Sequence, residues 1–185
     1  MKINNFFKLI IAIVVSELAG IIGSVFTTPS IAGPSTGSGQ AWYATLVRPA
    51  LNPPAWVFGP VWTTLFAIMG IAVFLVYIKD EKTVLSEVEG RRFKRNKKIA
   101  LVLFGIQLVL NTLWSIIFFG STSLTINGLN NIGIAFIEII FLWLAILATI
   151  VAFAKISKPA VWLLVPYILW VSFAGYLNFM IWMLN

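Results

Sequence analysis

The chain has 185 residues, of which 60% are hydrophobic and 10% are charged, and its formal net charge is +7. These fractions lie outside the range of soluble domains and indicate a membrane protein, and the length suits one compact bundle rather than two domains. The absence of cysteine excludes disulfides, thiolate metal sites and cysteine nucleophiles, and the absence of histidine removes the commonest haem ligand and the commonest general base.

Five apolar segments, separated by polar gaps, occupy most of the chain. Each is long enough to cross the ~30 Å hydrocarbon core of a bilayer as a helix that rises ~1.5 Å per residue. Glu138 is the one charged residue in the last four segments. The sequence therefore predicts an all-α, polytopic membrane protein, a single domain over residues 1–185 that forms a five-helix transmembrane bundle. The predicted spans are roughly residues 9–26, 55–78, 99–120, 132–154 and 161–184, and residues 27–52 form an outer loop.

The first span carries a small residue at every fourth position, namely Ala12, Ser16, Gly20 and Ser24. This spacing is typical of a helix-packing seam, which lies either inside the bundle or in a homodimer. Glu17 lies on the same span near the bilayer midplane, and the spans offer no basic side chain to pair with it. A proton relay would need several titratable groups, whereas only Glu17 and Glu138 occur within the spans.

The outer loop is the one long connection, and connections beyond about 12 to 15 residues are usually functional or disordered. Its first half, Thr27 to Gly39, is predicted to be a flexible linker. We call its second half, Trp42 to Pro54, the lid segment. Prolines fix φ and bias the preceding residues away from helix, while Trp42 and Tyr43 supply apolar surface that needs cover. We interpret this segment as a semi-rigid lid; the alternative is an interfacial anchor at headgroup level.

The basic residues indicate the orientation of the bundle. Eight of the thirteen Lys and Arg residues fall between the second and third spans. Lys2 and Lys8 precede span one, and Lys155 and Lys158 separate spans four and five, so alternating topology leaves only Arg48 on the other side. Cytoplasmic loops carry the excess of Lys and Arg, which predicts an integral multi-pass protein with a cytoplasmic N-terminus and an outer C-terminus. A prokaryotic cell membrane is the expected location. Membrane lipid is an expected partner and nucleic acid is not; we interpret the basic residues as setting the orientation, and binding of anionic lipid is the alternative.

Polar and aromatic residues share one layer in the outer half of the spans. At ~1.5 Å per residue, the side chains about 9 to 13 Å below the outer ends are Glu17, Trp62, Asn111, Trp114, Glu138 and Asn178. Span three carries one helical stripe, made of Gln107, Asn111, Trp114, Ser115 and Phe118. Span five carries another, made of Trp170, Ala174, Leu177, Asn178 and Ile181, and span two offers Phe58, Trp62, Phe66 and Met69. We interpret this layer as a ligand cavity, because such sites are mostly apolar with a few convergent polar groups. Interhelical hydrogen bonding by the amides is the alternative.

Three motifs in this arrangement carry a family resemblance. The lid segment and span two read Trp42-Tyr43-x-x-Leu46-x-Arg48-Pro49 through Pro53-Pro54-x-Trp56-Val57-Phe58-x-Pro60-Val61-Trp62. Span three adds Asn111-x-x-Trp114-Ser115-x-x-Phe118-Phe119-Gly120, and span five adds Leu164-x-Pro166-Tyr167-x-x-Trp170-x-x-Phe173-Ala174-x-x-Leu177-Asn178. In order and over nearly the whole chain, these motifs resemble the TspO/MBR family, the tryptophan-rich sensory proteins of bacteria and the mitochondrial translocator proteins.

The resemblance implies a five-helix bundle, a homodimer, and a pocket under the first outer loop for porphyrins such as protoporphyrin IX. By position, the family's pocket residues correspond to Tyr43, Pro53, Phe58, Trp62, Phe66, Asn111, Trp114, Trp170, Ala174 and Leu177. The depth argument adds Glu138 and Asn178, and Arg48 is placed to attract porphyrin propionates. No cofactor or metal is required. With few candidates for axial iron ligation, a metal-free tetrapyrrole suits the site better than haem.

Three functions stay open at this stage. The first is a membrane receptor, sensor or carrier of porphyrins and other flat hydrophobic ligands, which is not an enzyme. The second, linked to the family, is light-dependent porphyrin breakdown in which the excited porphyrin oxidises Trp62 or Trp170. The third is small-molecule transport, which the absence of a broken, Gly/Pro-rich inverted repeat disfavours. The family's sterol motif needs a Tyr followed by Lys or Arg at the end of span five, and this chain has neither there.

Overall fold

The computed structural model describes residues 3–32, 41–79, 87–121 and 123–185. In these ranges the α-helices are α1 (Ile3–Ala32), α2 (Trp42–Thr45), α3 (Phe58–Tyr77), α4 (Glu87–Ser115), α5 (Asn131–Ala154) and α6 (Lys158–Leu184). A 3-10 turn, Ala55–Val57, precedes α3, and a π-helical turn, Ile116–Gly120, extends α4. Strands β1 (Thr125–Ile126) and β2 (Leu129–Asn130) form a hairpin between α4 and α5. Five of these helices are long and apolar enough to cross a membrane, which confirms the predicted all-α membrane bundle.

Two helices extend beyond the predicted spans. α1 continues to Ala32 with Pro29 inside it, so the prediction of a flexible linker from Thr27 was wrong over its first residues. The end of this helix is held because the Ser30 hydroxyl donates a 2.8 Å hydrogen bond to the carbonyl of Phe119. α4 extends from Glu87, well before residue 99, where the predicted span begins. Its first turns can be helical although they are polar, because Lys, Arg and Glu are good helix formers. The rest of the predicted linker lies outside the described residues.

The five long helices form a closed ring. Each packs against two neighbours in the order α1, α3, α6, α5 and α4, and α4 returns to α1. The ring explains how side chains from distant parts of the sequence reach one central space, since every helix turns one face inward. Thr112 strengthens the closure of the ring by donating a 3.1 Å hydrogen bond from α4 to the carbonyl of Ala19 on α1.

The small residues of α1 pack inside the bundle. Ser16 is fully buried, and a Cβ added at Gly20 would lie 2.5 Å from the ring of Phe66 on α3. Further from the lid segment, a Cβ at Gly70 would lie 2.5 Å from the Cα of Ile13, so α1 and α3 are in backbone contact there. Of the two placements left open for the seam, the structure favours the one within the bundle. Ser24 departs from it, because its side chain is exposed.

The half of the bundle remote from the lid segment has a solid core. Phe104 and Phe153 stack with ring centroids 6.1 Å apart and planes 21° from parallel. Around them, side chains from three helices are at most 1% exposed: Met69, Ala72 and Val76 from α3, Ile146 from α5, and Ala160 and Leu164 from α6. Aliphatic and phenylalanine side chains thus form a tightly packed core at the centre of this half.

The other end of the bundle carries the lid segment and the C-terminus together. The Val47 backbone N–H donates to the side-chain oxygen of Asn185, and the Asn185 amide donates to the Val47 carbonyl, both at 2.9 Å. The hairpin lies between α4 and α5, and its turn is Asn127-Gly128 with positive φ at both residues, the pairing that tight hairpins prefer. The lid segment is therefore fixed to the end of α6 at this end, which we call the outer end.

Candidate functional site

A cavity of about 370 Å³ lies in the outer half of the ring beneath the lid segment. This volume falls within the range of about 300 to 1,000 Å³ that ligand pockets occupy. Its walls come from α1, α3, α4 with its π-helical turn, α6 and the lid segment. Ten of the thirteen predicted site residues line it, namely Tyr43, Phe58, Trp62, Phe66, Asn111, Trp114, Trp170, Ala174, Leu177 and Asn178.

Arg48, Pro53 and Glu138 are not part of the cavity wall. Arg48 is exposed, and its guanidinium carbon lies 5.5 Å from the centre of the Tyr43 ring. Pro53 shapes the lid segment, and its carbonyl accepts a 3.0 Å hydrogen bond from the Asn52 amide. Glu138 lies on α5 and is only 7% exposed. Among the described residues, neither of its carboxyl oxygens has a hydrogen-bond partner.

Two side-chain hydrogen bonds between α4 and α6 close the wall in front of α5 and separate Glu138 from the cavity. The Trp114 indole donates to the Asn178 oxygen at 3.0 Å, and the Asn111 amide donates to the Tyr167 hydroxyl at 3.0 Å. Depth along the helix placed Glu138 in the correct layer, but depth does not report which face of the ring a residue occupies.

The aromatic wall is built from four rings in contact, of which Trp170 meets Trp62 and Phe58 edge to face. Trp62 and Trp170 have centroids 6.4 Å apart and planes at 87°. Phe66 extends this wall beside Trp62, and Phe58 extends it beside Trp170, with centroid distances of 5.8 and 6.3 Å. The Nε1 atom of Trp170 is buried behind the wall and meets no acceptor in the described part of the chain. The wall thus presents large, flat apolar faces.

The two amide side chains on the wall, Asn111 and Asn178, differ in which hydrogen-bonding atoms remain for a ligand. Asn178 uses both ends of its side chain, since it accepts from Trp114 and donates to the Ile132 carbonyl at 2.8 Å. Asn111 donates to Tyr167, and its Oδ1 accepts no hydrogen bond from the described residues. Asn178 therefore serves interhelical packing, the alternative weighed for these stripes, whereas Asn111 still offers an acceptor to a ligand.

The lid segment packs onto the outer end of α4 rather than spreading at the surface. The rings of Trp42 and Tyr43 lie 5.8 and 6.4 Å from that of Phe118, and both also contact Phe119. Tyr43 is 4% exposed and donates a 2.7 Å hydrogen bond to Asn52. Burial raises the pKa of the Tyr43 hydroxyl, and this outweighs the opposing effects of the Asn52 hydrogen bond and the Arg48 charge. The hydroxyl therefore stays protonated and keeps the lid segment folded on itself.

The π-helical turn at the end of α4 positions these phenylalanines. Its widened backbone turns two carbonyl groups away from the helix, and both are satisfied by other helices. The Phe118 carbonyl accepts from the Asn131 amide of α5, and the Phe119 carbonyl accepts from Ser30 of α1, each at 2.8 Å. Such turns often occur at functional sites, and this one places Phe118 and Phe119 between the cavity and the lid segment.

Sequence reasoning placed Glu17 in the outer-half layer but missed the rest of the wall contributed by α1. The missed residues include Gly20, Gly23 and Thr27. The small and hydroxyl residues that recur between Gly20 and Thr28 were the available signal, but such residues are also typical of helix packing. Several lining residues of α1 and α3 are also exposed, namely Ile21, Ser24, Thr28, Gly59 and Thr63. The cavity therefore opens sideways between the outer parts of these two helices, toward the space that lipid occupies.

The described residues contain no group of three or more His, Cys, Asp or Glu side chains placed to hold a metal ion. The chemistry that the cavity can offer comes from aromatic rings, the amide oxygen of Asn111 and the half-buried carboxyl group of Glu17. This combination suits recognition of a large, flat ligand with a few polar atoms.

Comparisons with known proteins agree with these features. The sequence profile of the TspO/MBR family matches residues 12–183. The "Tryptophan-rich protein TspO" of Chlorobaculum tepidum is 46% identical over 167 residues, which cover 90% of this chain and 88% of that protein. The "Translocator protein" of Homo sapiens is 36% identical over 146 residues, or 79% of this chain and 76% of its own. The "Tryptophan-rich sensory protein" of Cereibacter sphaeroides is 33% identical over 138 residues, 75% and 73% of the two chains.

Proposed function

This chain belongs to the TspO/MBR family of integral membrane proteins, and from that premise we propose that it is a receptor or carrier that binds free-base porphyrins and similar flat hydrophobic ligands in the outer-half cavity. The observation that carries the proposal is the cavity wall itself. Trp62 and Trp170 stand 6.4 Å apart on it and offer indole faces on which a flat macrocycle can stack.

The polar groups on the wall favour a tetrapyrrole without a metal. A free-base porphyrin carries pyrrole N–H donors, which a metalloporphyrin lacks. Asn111 Oδ1 and the carboxyl group of Glu17 are acceptors on the wall that can receive these donors. The absence of His and Cys gives iron few axial ligands.

Access from the bilayer fits the same class of ligand. The lid segment covers the cavity from outside the membrane, whereas the exposed lining residues of α1 and α3 leave a side opening. A flat hydrophobic molecule that dissolves in lipid would reach Trp62 through this opening without crossing water. The homodimer that the family resemblance implies stays a prediction.

The test is a titration of purified protein with protoporphyrin IX, followed by quenching of tryptophan fluorescence. We expect saturable quenching, and we expect Trp62→Ala and Asn111→Ala to weaken binding by about tenfold, or about 1.4 kcal/mol. Trp162→Ala is the control, because Trp162 is 74% exposed on α6. Equal losses in all three variants would count against the cavity, and a wild-type preference for haem over free base would count against the metal-free ligand.

A second candidate function is light-dependent breakdown of the bound porphyrin. The observation in its favour is that Trp62 and Trp170 are neighbours on one wall, so an excited macrocycle packed against this wall would lie beside two oxidisable indoles. The test is to illuminate the porphyrin complex in air and follow product formation in Trp62→Phe, Trp170→Phe and Trp162→Phe. Loss of products in the first two variants alone would support this function, and equal product in all three would reject it.

We also infer that the outer end faces away from the cytoplasm, since the basic residues gather at the other end. The Val47–Asn185 contact makes the C-terminus a reporter for the side on which the lid segment lies. A fusion after Asn185 to a pair of enzymes active on opposite sides of the membrane should read as outside. A cytoplasmic reading would reverse the orientation of the whole bundle.

A further inference from the structure

Tyr167 on α6 is fully buried behind the cavity wall and touches that wall at two points. Its ring meets the indole of Trp62 edge to face, with centroids 6.4 Å apart. Its hydroxyl oxygen accepts a buried 3.0 Å hydrogen bond from the amide nitrogen of Asn111. Because Tyr167 does not line the cavity itself, its hydroxyl group can influence a ligand there through Asn111.

The amide of Asn111 offers different chemistry on its two sides. Its nitrogen carries two donors and its oxygen is an acceptor, and the two sides exchange when the amide turns by about 180°. The nitrogen faces Tyr167, and the oxygen accepts no hydrogen bond from the described residues. The buried side-chain atoms without a hydrogen-bond partner do not include this oxygen, so it borders open space, and Asn111 borders the cavity. The oxygen is therefore the side of the amide that a ligand meets.

Glu138 on α5 favours this direction of the hydrogen bond. A tyrosine hydroxyl can either accept from an amide nitrogen or donate to an amide oxygen. The carboxyl group of Glu138 is near enough for its charge to act on the Tyr167 hydroxyl, and its two oxygens receive no donor from the described residues. An acceptor near the hydroxyl attracts its hydrogen, which leaves the lone pairs of the Tyr167 oxygen for the nitrogen of Asn111.

We propose that Tyr167 is a positioning residue that makes the cavity select ligands with a hydrogen-bond donor at Asn111 over ligands of the same shape with an acceptor there. The Tyr167 hydroxyl holds the nitrogen of Asn111, so that the oxygen faces the ligand. A ligand N–H would pair with this oxygen. A ligand oxygen would instead meet it as a second acceptor, and both atoms would lose water without gaining a hydrogen bond. This inference rests on the function proposed above, because it requires that flat ligands enter the cavity.

Three flat tricyclic compounds of nearly the same size test the inference. Carbazole has a central N–H donor, dibenzofuran has a central oxygen acceptor, and fluorene has a central methylene group. Calorimetric titration of the purified full-length protein, with empty micelles as the blank, measures the three affinities. We expect the wild type to bind carbazole about tenfold more tightly than dibenzofuran, with fluorene between them. Ala174→Phe, which places a ring in the cavity, should lose binding of all three.

Tyr167→Phe is the central variant, because it keeps the ring against Trp62 and removes the hydroxyl group that holds Asn111. The amide can then turn, so the preference for carbazole over dibenzofuran should fall to within about twofold while the affinity for fluorene stays the same. A general loosening of the cavity would weaken the binding of all three compounds together, so the ratio of affinities separates positioning from structural support. Tyr176→Phe is the matched control and should keep the preference, because Tyr176 lies on the same helix and is 41% exposed.

Two further variants test the partners of Tyr167. Asn111→Leu removes the amide and should abolish the preference for carbazole. A preference that persists there would assign the ligand N–H to another acceptor on the wall, such as Glu17, and would overturn the inference. Glu138→Leu removes the acceptor near the hydroxyl while Tyr167 stays in place, and it should lower the preference without loss of fluorene binding.

The wild type separates failure of this inference from failure of the proposed function. The inference alone is overturned if the wild type binds the three compounds equally or prefers dibenzofuran. It is also overturned if either Tyr167→Phe or Glu138→Leu keeps the full wild-type preference. No binding of any of the three compounds would overturn it together with the proposed binding of flat ligands.

Discussion

The outer and inner halves of this bundle are built from the same five helices but are filled in different ways. In the inner half, flexible aliphatic side chains such as Met69 and Leu164 are fully buried in a packed core. In the outer half, rigid indoles and amides tied across α4 and α6 cannot collapse into the centre, and a cavity persists. The difference teaches that the closely packed core and the cavity proposed to bind a ligand lie at different depths along the membrane normal. A substitution that fills the cavity should therefore leave the packed core largely unchanged, and one that disrupts the core should act mainly on stability.

The largest expected effect is a loss of stability from a substitution in the inner half. Gly70→Leu should lower the free energy of unfolding by about 3 kcal/mol or more, because its Cβ would overlap the Ile13 backbone and force α1 away from α3. Gly105→Ala is the matched control. Among the described residues nothing lies within 4 Å of its added Cβ, so alanine should stabilise the helix by about 0.5 to 1 kcal/mol. Unfolding in detergent measures both, and similar effects of the two variants would show that the α1–α3 contact is looser than described.

Filling the cavity in the outer half should strongly weaken porphyrin binding with little change in stability. Ala174→Phe places a ring in the cavity and should weaken protoporphyrin binding by at least about thirtyfold, or about 2 kcal/mol. Ala154→Phe is the control, because Ala154 is exposed at the other end of the bundle. A porphyrin titration combined with thermal unfolding separates the two properties. If Ala174→Phe unfolds the protein while binding by the remaining folded fraction is normal, the division between the halves is wrong.

A smaller effect is expected from the hydrogen bonds that hold the cavity open. Trp114→Phe removes the donor to Asn178 and leaves that oxygen buried and unpaired, which should cost about 1 to 3 kcal/mol of stability. Trp143→Phe is the comparison, since its indole bonds Ser172 on an exposed face and Ser172 also donates to the Ile168 carbonyl. We expect a smaller loss there. The unfolding free energies of the two variants test this prediction. A larger loss in Trp143→Phe than in Trp114→Phe would contradict a structural role for the Trp114–Asn178 bond.

The smallest effect is expected at Arg48, which lies outside the cavity wall. Arg48→Gln should change the equilibrium affinity for protoporphyrin by less than about threefold. Its effect should appear instead in the association rate at low ionic strength, because a rim charge attracts an anionic ligand through a field that salt screens. Stopped-flow quenching at two salt concentrations measures this. A large loss of affinity that persists at high salt would place Arg48 in direct contact with the ligand.

The residues that sequence reasoning found were those whose position two simple rules determine. Hydropathy located the spans, and the helical repeat placed Trp62, Asn111 and Trp170 on inward faces, where the structure has them on one wall. Glu138 was misplaced because α5 lies behind the bonds that join α4 to α6, and no local pattern reports the order of helices around the ring.

Two other features depend on contacts between distant parts of the chain. The π-helical turn at Ile116–Gly120 is supported by Ser30 and Asn131, so the residues of the turn alone do not reveal it. Most of the wall from α1 was missed because small residues serve equally well to pack a neighbouring helix and to border an open space. Gly20 packs against the ring of Phe66 on the neighbouring helix, whereas Ser24 borders the cavity.

The most direct measurement is an experimental structure of the protein with protoporphyrin IX bound. The account predicts density for the macrocycle in the outer half of the ring, against the indoles of Trp62 and Trp170 and within hydrogen-bonding reach of Asn111. Density at the surface of the bundle only, with Trp62 and Trp170 packed as they are here and the cavity unfilled at saturating porphyrin, would contradict it.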